Sequence, residues 1–205
     1  LLQLNPTLTP TDVFTALANS AIDMNTSGYD FLTGAGLINA VNLFGGASQF
    51  CDPYEPQLST TGYIVGTVDS NLIDDLRKAV ACAEVAADQD TIIISDGDIL
   101  SFVTSDDTSQ GALEDIANPL IITSDGTATL ERSSSASEDF RFVTVNVSNT
   151  TGLTLQNLFI QDFVTPTGLD GGAIINYGTL TLNDVTLADN QATSGNGGAI
   201  MNVDG

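Results

Sequence analysis

Two stretches of the chain repeat each other, and this repeat constrains the fold more than any other feature. Leu153–Leu155 reads Leu-Thr-Leu and precedes the Gly-Gly-Ala-Ile block Gly171–Asn176. Leu180–Leu182 has the same triplet and precedes the matching block Gly197–Asn202. The triplets lie 27 residues apart and the blocks 26 apart. A period of this length is typical of stacked units, each of which buries its apolar face only against its neighbours.

Short β-prone runs separated by turn residues follow one another from residue 91 onward. The runs are Thr91–Ile94, Leu120–Thr123, Ala128–Leu130, Phe142–Val145, Leu153–Leu155, Leu158–Ile160, Leu180–Leu182 and Val185–Leu187. Apolar and polar residues alternate in the repeats, so the apolar side chains share one face of each strand. This pattern predicts an incomplete parallel β-helix. A sandwich of stacked hairpins is the alternative, but no tight Asn-Gly turn joins two clean strands.

The Gly-Gly-Ala-Ile blocks predict corners and a polar ladder. Gly171, Gly172, Gly197 and Gly198 are expected where the backbone needs a positive φ or a close approach to another segment. Asn176 and Asn202 occupy the same place in the two blocks. We therefore expect their side chains to pair from one turn to the next.

Two helices are predicted before the strands. The first begins at Thr9–Asp12, a capping sequence, and its apolar positions are Val13, Phe14, Leu17, Ala18 and Ala21. The second runs over Asn71–Ala87 and would cap the β-helix, with Ile73, Leu76, Val80, Ala83 and Ala87 on one face. Between them, residues 46–62 are rich in Gly, Pro, Ser and Thr and are expected to form a linker.

The charge balance is strongly acidic, with 26 acidic residues against four basic ones and a net charge of -22. Phosphate backbones and anionic membranes would be repelled, so we expect neither a nucleic-acid partner nor membrane insertion. The acidity is typical of a soluble exported surface. Calcium binding by clustered Asp residues stays open as an alternative, although no segment has the spacing of an EF-hand loop. No other cofactor is expected.

Cys51 and Cys82 are the two cysteines of the chain. Neither belongs to a Cys-x-x-Cys motif, and no histidine is present to complete a zinc site. A disulfide between them is expected if the protein is exported. The alternative is two separate thiols, with Cys82 on the buried face of the second helix.

Residues 1–45 resemble the C-terminal end of a subtilisin-like serine protease domain of the S8 class. The resemblance rests on Leu1–Pro10, on the helix that follows, and on Gly34–Ala40, in which Gly34 and Gly36 belong to the closing motif of that domain. It implies a short helical remnant of an α/β domain. The serine, histidine and aspartate motifs of the family would lie before residue 1, so we expect this chain to be an internal fragment.

Residues 63–205 resemble the start of secreted right-handed parallel β-helix proteins. Asp75–Val80 followed by Asp90–Ile92 is similar to their N-terminal cap, and Arg77 belongs to that motif. Arg132 and Arg141 lie in a stretch that is similar to one rung of the group. The repeated blocks resemble polymorphic outer-membrane protein repeats, with Leu187–Asn190 in place of the Phe-x-x-Asn box. These likenesses imply structural roles for the residues and a right-handed solenoid.

The residue types argue against catalysis within this chain. A Ser-His-Asp triad needs an imidazole, and the chain has no histidine. Lys78 would have to serve a Ser-Lys pair, and its place beside Arg77 on a helix favours a solvated charge. Arg132 and Arg141 are the remaining candidate bases for polysaccharide chemistry, and pairing with Glu131, Glu138 or Asp139 would explain both as structural.

We therefore expect a fragment of a secreted subtilisin-like serine endopeptidase that carries a β-helical structural or binding region. The parent would act on a protein substrate, and the β-helix would bind a cell surface or a polysaccharide. An extracellular β-helical adhesin is the alternative, followed by a polysaccharide-acting β-helix enzyme. On its own, the chain is predicted to be inactive.

Overall fold

The computed structural model describes residues 21–22, 37–38, 51, 53–85, 88–106, 110–146 and 152–203. The chain forms two compact units, Leu1–Asp52 and Pro53–Gly205. The second unit therefore begins inside the stretch predicted to be a linker.

In the first unit, strands β1 (Ala21–Ile22) and β2 (Leu37–Ile38) pair in antiparallel fashion. The expectation that Ala21 lies on a helix is wrong, because its backbone pairs with Ile38 instead. Such pairing between distant segments routinely overrides a local helical pattern. The other positions of that predicted helix, together with Gly34 and Gly36, lie outside the described residues.

The second unit opens with α1 (Glu55–Leu58), β3 (Tyr63–Ile64) and α2 (Leu72–Ala83). The side chain of Asn71 caps α2 by accepting a hydrogen bond from the Asp74 backbone N–H, as its position predicts. The helix ends at Ala83, before the predicted end at Ala87, which lies outside the described residues. Just past the last turn, the Glu84 carbonyl accepts a 2.7 Å hydrogen bond from the Asn118 side chain.

Among the residues that the structure describes, ten strands follow α2. They are β4 (Asp90–Ile94), β5 (Ile99–Phe102), β6 (Leu120–Arg132), β7 (Val143–Val145), β8 (Leu153–Gln161), β9 (Val164–Thr165), β10 (Ile174–Asn176), β11 (Leu180–Ala188), β12 (Gln191–Ala192) and β13 (Ile200–Asn202).

These strands form three stacks of parallel neighbours. The main sheet has the order β11-β8-β6-β4-β3, with β5 beside β6, and the smaller stacks are β13-β10-β7 and β12-β9. Strands β4 and β5 pair with the first and second halves of β6, and the other neighbours in each stack come from successive passes of the chain. This arrangement is a β-solenoid of about four turns. The predicted parallel β-helix is confirmed, and the alternative of stacked hairpins is wrong for the described strands of this unit.

Aliphatic columns run through the interior in exact register. Ile92 pairs with Ile122, Ile122 with Leu155, and Leu155 with Leu182. The first three side chains are fully buried, whereas Leu182 in the last described turn is 36% exposed. The repeated Leu-Thr-Leu triplet is therefore one layer of a continuous core.

Aromatic side chains fill the interior where the strands diverge. Phe102, Phe140, Phe142 and Phe163 are fully buried, and the rings of Phe142 and Phe163 lie 5.5 Å apart between centroids. Tilted and edge-on contacts at such distances add to the free energy gained from burial. These phenylalanines are core residues.

Candidate functional site

The guanidinium of Arg77 joins α2 to the segments that follow the first strands. Its Nε donates to the Ala112 carbonyl at 2.9 Å and its Nη2 donates to the Thr104 carbonyl at 2.6 Å. The group also lies 5.6 Å from the centre of the Phe102 ring and 3.5 Å from an Asp106 carboxylate oxygen. Two backbone acceptors and an aromatic face fix Arg77 in a structural position.

Arg132 is held by its own loop. It donates to the Glu138 carbonyl through Nε at 3.0 Å and through Nη2 at 2.7 Å, and Nη2 lies 3.0 Å from the Asp139 carboxylate. Its guanidinium also stacks over Phe140 at 5.6 Å. The pairing with Asp139 is one of those that the sequence suggested, and it occupies the groups that a catalytic base would need free.

Arg141 lies almost completely buried, with 6% of its surface exposed. Its Nη2 lies 3.3 Å from the Asp170 carbonyl, and its Nη1 lies 3.4 Å from the Thr144 hydroxyl. The structure therefore ties this arginine to the following turn, and its pairing with Glu131, Glu138 or Asp139 stays a prediction. Stacking of the turns brings the Asp170 carbonyl, 29 residues ahead, within reach of this guanidinium.

The paired glycines play two different parts. Gly171 and Gly197 adopt φ values of +67° and +68°, which confirms the predicted corners. A Cβ atom on Gly172 would collide with the carbonyl oxygen of Gly198 in the next turn. The second glycine of a block therefore allows two turns to approach closely. A Cβ atom on Gly198 would lie 3.7 Å from the Asn190 carbonyl oxygen, which is an ordinary contact, because no described turn covers this glycine.

Asparagine side chains link consecutive turns. Asn176 pairs in register with Asn202, and its Nδ2 donates to the Asn202 Oδ1 at 3.0 Å, so the predicted ladder is confirmed. Asn190 belongs to Leu187–Asn190, the stretch that resembles the Phe-x-x-Asn box, and its side chain contacts the preceding turn. Its amide donates to the Ile160 carbonyl at 2.9 Å and accepts from the Phe163 N–H at 3.1 Å. These amides satisfy backbone groups at corners where the strands end.

Lys78 forms an ion pair with Asp69. Lys78 Nζ lies 2.7 Å from an Asp69 carboxylate oxygen, and this hydrogen bond raises the pKa of the lysine. A raised pKa keeps the amine protonated, which is the opposite of what a catalytic base requires.

Cys51 and Cys82 are both disulfide-bonded.

A cluster of acids surrounds the end of α2, and sequence reasoning missed it. Glu84 accepts hydrogen bonds from the Ala117 and Asn118 backbone N–H groups at 2.9 Å and 3.0 Å. Burial raises its pKa to about 7, and the charges of Glu114 and Asp90 add to the effect. The one sign of this acidic cluster in the sequence is Asp90, an acidic residue at the start of a strand that is mostly apolar. Within the described residues, no group of three or more His, Cys, Asp or Glu side chains is arranged to hold a metal ion.

The outward surface of the main sheet is partly exposed, and we name it the outer face. It consists of four rows of side chains stacked in register: Thr91, Ile121, Thr154 and Thr181; Ile93, Thr123, Gln156 and Asn183; Ile99, Thr129, Phe159 and Thr186; Ser101, Glu131, Gln161 and Ala188. Glu131 is the single ionisable residue among these sixteen positions, and Gln161 donates to it at 3.0 Å.

The outer face combines hydroxyls, amides and exposed apolar groups. Ile99 is 63% exposed and Phe159 is 41% exposed, and both belong to the same row. Such an array offers hydrogen bonds and apolar contact at the spacing of the strands, about 4.8 Å. Glu131 is the one ionisable residue of the four rows, and the exposed Asp125 and Asp184 lie between the second and third rows, in β6 and β11.

Comparison with known proteins gives no family. No family model, curated protein or solved structure matches the chain. Across the residues that the structure describes, no helix is long and apolar enough to cross a membrane.

Proposed function

We propose that this chain is the β-helical structural and binding region of a secreted subtilisin-like serine endopeptidase. The region supports or anchors the parent enzyme and carries no catalytic residue of its own. The binding role rests on the outer face, a regular surface with one ionisable side chain among its sixteen stacked positions, and the link to a protease rests on the resemblance of residues 1–45. Binding, rather than bond cleavage, is what hydroxyl, amide and apolar side chains can provide there.

The positions of the basic residues support the absence of catalysis. Arg77 and Arg132 are occupied by backbone carbonyls and rings, Arg141 is buried between two turns, and Lys78 is paired with Asp69. With no histidine in the sequence, a Ser-His-Asp triad cannot form within this chain.

The outer face predicts a ligand that is a neutral surface polymer. A polyanion would be repelled by the net charge of -22, and a polycation would prefer the acidic loops to this face. A surface-binding adhesin would use the same face, so the adhesin remains the second candidate function. The two differ in whether a protease domain precedes residue 1.

A sedimentation assay with insoluble cell-wall and extracellular polysaccharides tests the proposal. We expect the protein to bind at least one of them without releasing reducing ends, and to hydrolyse no fluorogenic peptide. Phe159→Ala should weaken binding about 10-fold or more, because exposed aromatic rings supply much of the contact energy. Tyr177→Ala is the matched control, since Tyr177 is 51% exposed but lies outside the outer face. Equal losses in both variants, or release of reducing ends, would contradict the proposal.

A further inference from the structure

The residue that follows β7 belongs to a motif for N-linked glycosylation. Residues 146–148 read Asn-Val-Ser, which is the Asn-x-Ser/Thr pattern with a residue other than proline in the middle. The same pattern begins at Asn25 and Asn149, and both of these residues lie outside the described part of the chain. Asn146 is described, and it is exposed. Because so short a motif also arises by chance, the surroundings of Asn146 decide whether it suits a glycan.

The backbone at Asn146 is fixed by described turns on both sides. Its N–H donates to the Ile116 carbonyl of the preceding turn at 2.7 Å. The Tyr177 N–H of the next turn donates to the Val145 carbonyl at 2.8 Å, and Val145 is in register with Asn176. Residues at equivalent places in neighbouring parallel strands point to the same side, about 4.8 Å apart. Asn146 and Tyr177 therefore lie side by side on the surface.

The side-chain amide of Asn146 is held on one side by an acid. Its Nδ2 donates a hydrogen bond to Asp115 Oδ2 at 3.0 Å. An asparagine amide carries two N–H donors, and a glycosidic bond replaces only one of these hydrogens. The remaining N–H can keep the bond to Asp115. Attachment of a sugar to Nδ2 therefore does not require this contact to break.

Tyr177 offers apolar surface next to the acceptor amide. Its side chain is 51% exposed, although an aromatic ring gains free energy when its faces are covered. A pyranose ring has one face made mainly of C–H groups, which packs against an aromatic ring, and its hydroxyls stay in water. The first sugar on Asn146 would lie beside the Tyr177 ring and cover part of it.

We propose that Asn146 is an acceptor of an N-linked glycan whose first sugar packs on Tyr177 while Asp115 holds the amide. The donor is an oligosaccharide on a lipid diphosphate. A transferase joins Nδ2 to the anomeric carbon, the bond from that carbon to the phosphate breaks, the lipid diphosphate leaves, and Nδ2 loses one proton. The inference rests on the export that the proposed function assigns to the chain, but not on a protease parent or on the ligand of the outer face.

Cell-free translation with microsomes, behind a secretory signal sequence, tests the acceptor. A background variant with Ser27→Ala and Thr151→Ala keeps the motif at Asn146 alone. We expect this variant to gain the gel shift of one glycan, which peptide N-glycosidase reverses. Adding Ser148→Ala should abolish the shift, whereas Ser148→Thr should retain it. A background variant without a shift, or a shift that survives Ser148→Ala, would overturn the proposal.

Thermal unfolding of the secreted protein tests the contact with Tyr177. Glycosylated background protein is trimmed to one sugar by an endoglycosidase and compared with the same protein carrying Ser148→Ala. We expect the single sugar to raise the unfolding midpoint by about 2 °C or more. Tyr177→Ala should remove at least about half of this gain, because the sugar loses the ring that it covers. Leu169→Ala is the control, since Leu169 is also exposed but lies in the loop before β10.

An equal gain in the Tyr177→Ala protein would overturn the predicted contact. Neither experiment measures polysaccharide binding or peptide hydrolysis. A failure here would therefore leave the proposed function standing, and a failure of the sedimentation assay would leave the glycan at Asn146 standing.

Discussion

The carboxylate of Asp75 accepts a 2.6 Å hydrogen bond from the phenolic hydroxyl of Tyr63, and this bond joins α2 to the first strand of the main sheet. Asp75 is fully buried and also accepts from the Tyr54 hydroxyl at 3.0 Å and from the Gly66 N–H at 2.6 Å. Burial, followed by the hydrogen bond to Asp75, raises the pKa of Tyr63 well above its usual value. The hydroxyl therefore keeps its proton and remains a donor.

Asp75→Asn should destabilise the protein strongly. An asparagine of the same shape loses acceptor capacity and directs an N–H group at donors that already point inward. We expect the free energy of unfolding to fall by about 2–4 kcal/mol, because bonds to a buried charge are lost and their donors stay buried. Urea unfolding followed by circular dichroism measures the change.

Asp74→Asn is the control for that experiment. Asp74 is exposed on the same helix, and its carboxylate accepts one hydrogen bond from the Asn71 side chain. We expect a loss below about 1 kcal/mol. Equal losses in the two variants would show that the buried network of Asp75 contributes nothing specific.

Gly172 and Gly198 are the second glycines of the two repeated blocks, so they occupy equivalent positions in consecutive turns and can be compared directly. Gly172→Ala places a methyl group against the Gly198 carbonyl of the next turn, and overpacking of this kind costs about 1–3 kcal/mol or more. Gly198→Ala meets only the Asn190 carbonyl at 3.7 Å, and it should change the free energy of unfolding by less than about 0.5 kcal/mol. Thermal unfolding at low protein concentration compares them, and a larger loss for Gly198→Ala would contradict the stacking.

The fold was predictable where one physical rule dominates. Alternation of apolar and polar residues marked the strands around Leu153 and Leu180, and the repeat set their register. Strand β5 (Ile99–Phe102) was not predicted, because its apolar run is brief and lies between acidic turns. The bends at Asn157 and Asp184, with φ of +55° and +52°, lie in the two gaps that the sequence left between Leu153–Leu155 and Leu158–Ile160 and between Leu180–Leu182 and Val185–Leu187. Asn and Asp are the residues that adopt the left-handed conformation most readily after glycine.

The structural sites were less predictable than the strands. The Asn176 ladder followed from the period of 26 residues, which places identical side chains one above another. The Asp75 network depends on Tyr54, 21 residues away, and Arg141 depends on Asp170, 29 residues away. These partners come together only after the turns stack, and no local pattern encodes their distance.

Neighbouring cations on α2 should differ in their effect on stability. Arg77→Lys removes the pair of backbone hydrogen bonds to Ala112 and Thr104, because an ammonium cannot reproduce the planar fork. We expect a loss of about 1–3 kcal/mol. Lys78→Ala removes a partly exposed ion pair with Asp69, so less than about 1 kcal/mol should be lost. Chemical denaturation at neutral pH compares the two, and a larger effect at Lys78 would contradict the assignment.

Glu84 should make stability depend on pH near neutrality. Burial raises its pKa from the usual 4.5 to about 7 in the folded state, with the charges of Glu114 and Asp90 adding to the effect. Between these values the folded state holds a proton that the unfolded state has lost. The stabilisation is therefore complete below pH 4.5 and is lost as the pH rises through about 7. After allowance for solvent screening, we expect a loss of about 1–2 kcal/mol.

Glu84→Gln should flatten this pH dependence, because the amide does not ionise. Glu138→Gln is the control: hydrogen bonds from Ser105 lower the pKa of Glu138, so it stays ionised in both states across the same range and its removal should leave the slope unchanged. Urea unfolding at a series of pH values gives the slopes, and carbon NMR of the Glu84 carboxyl gives its pKa directly. A carboxyl that titrates near 4.5, or a slope that survives in Glu84→Gln, would assign the pH dependence to other acids.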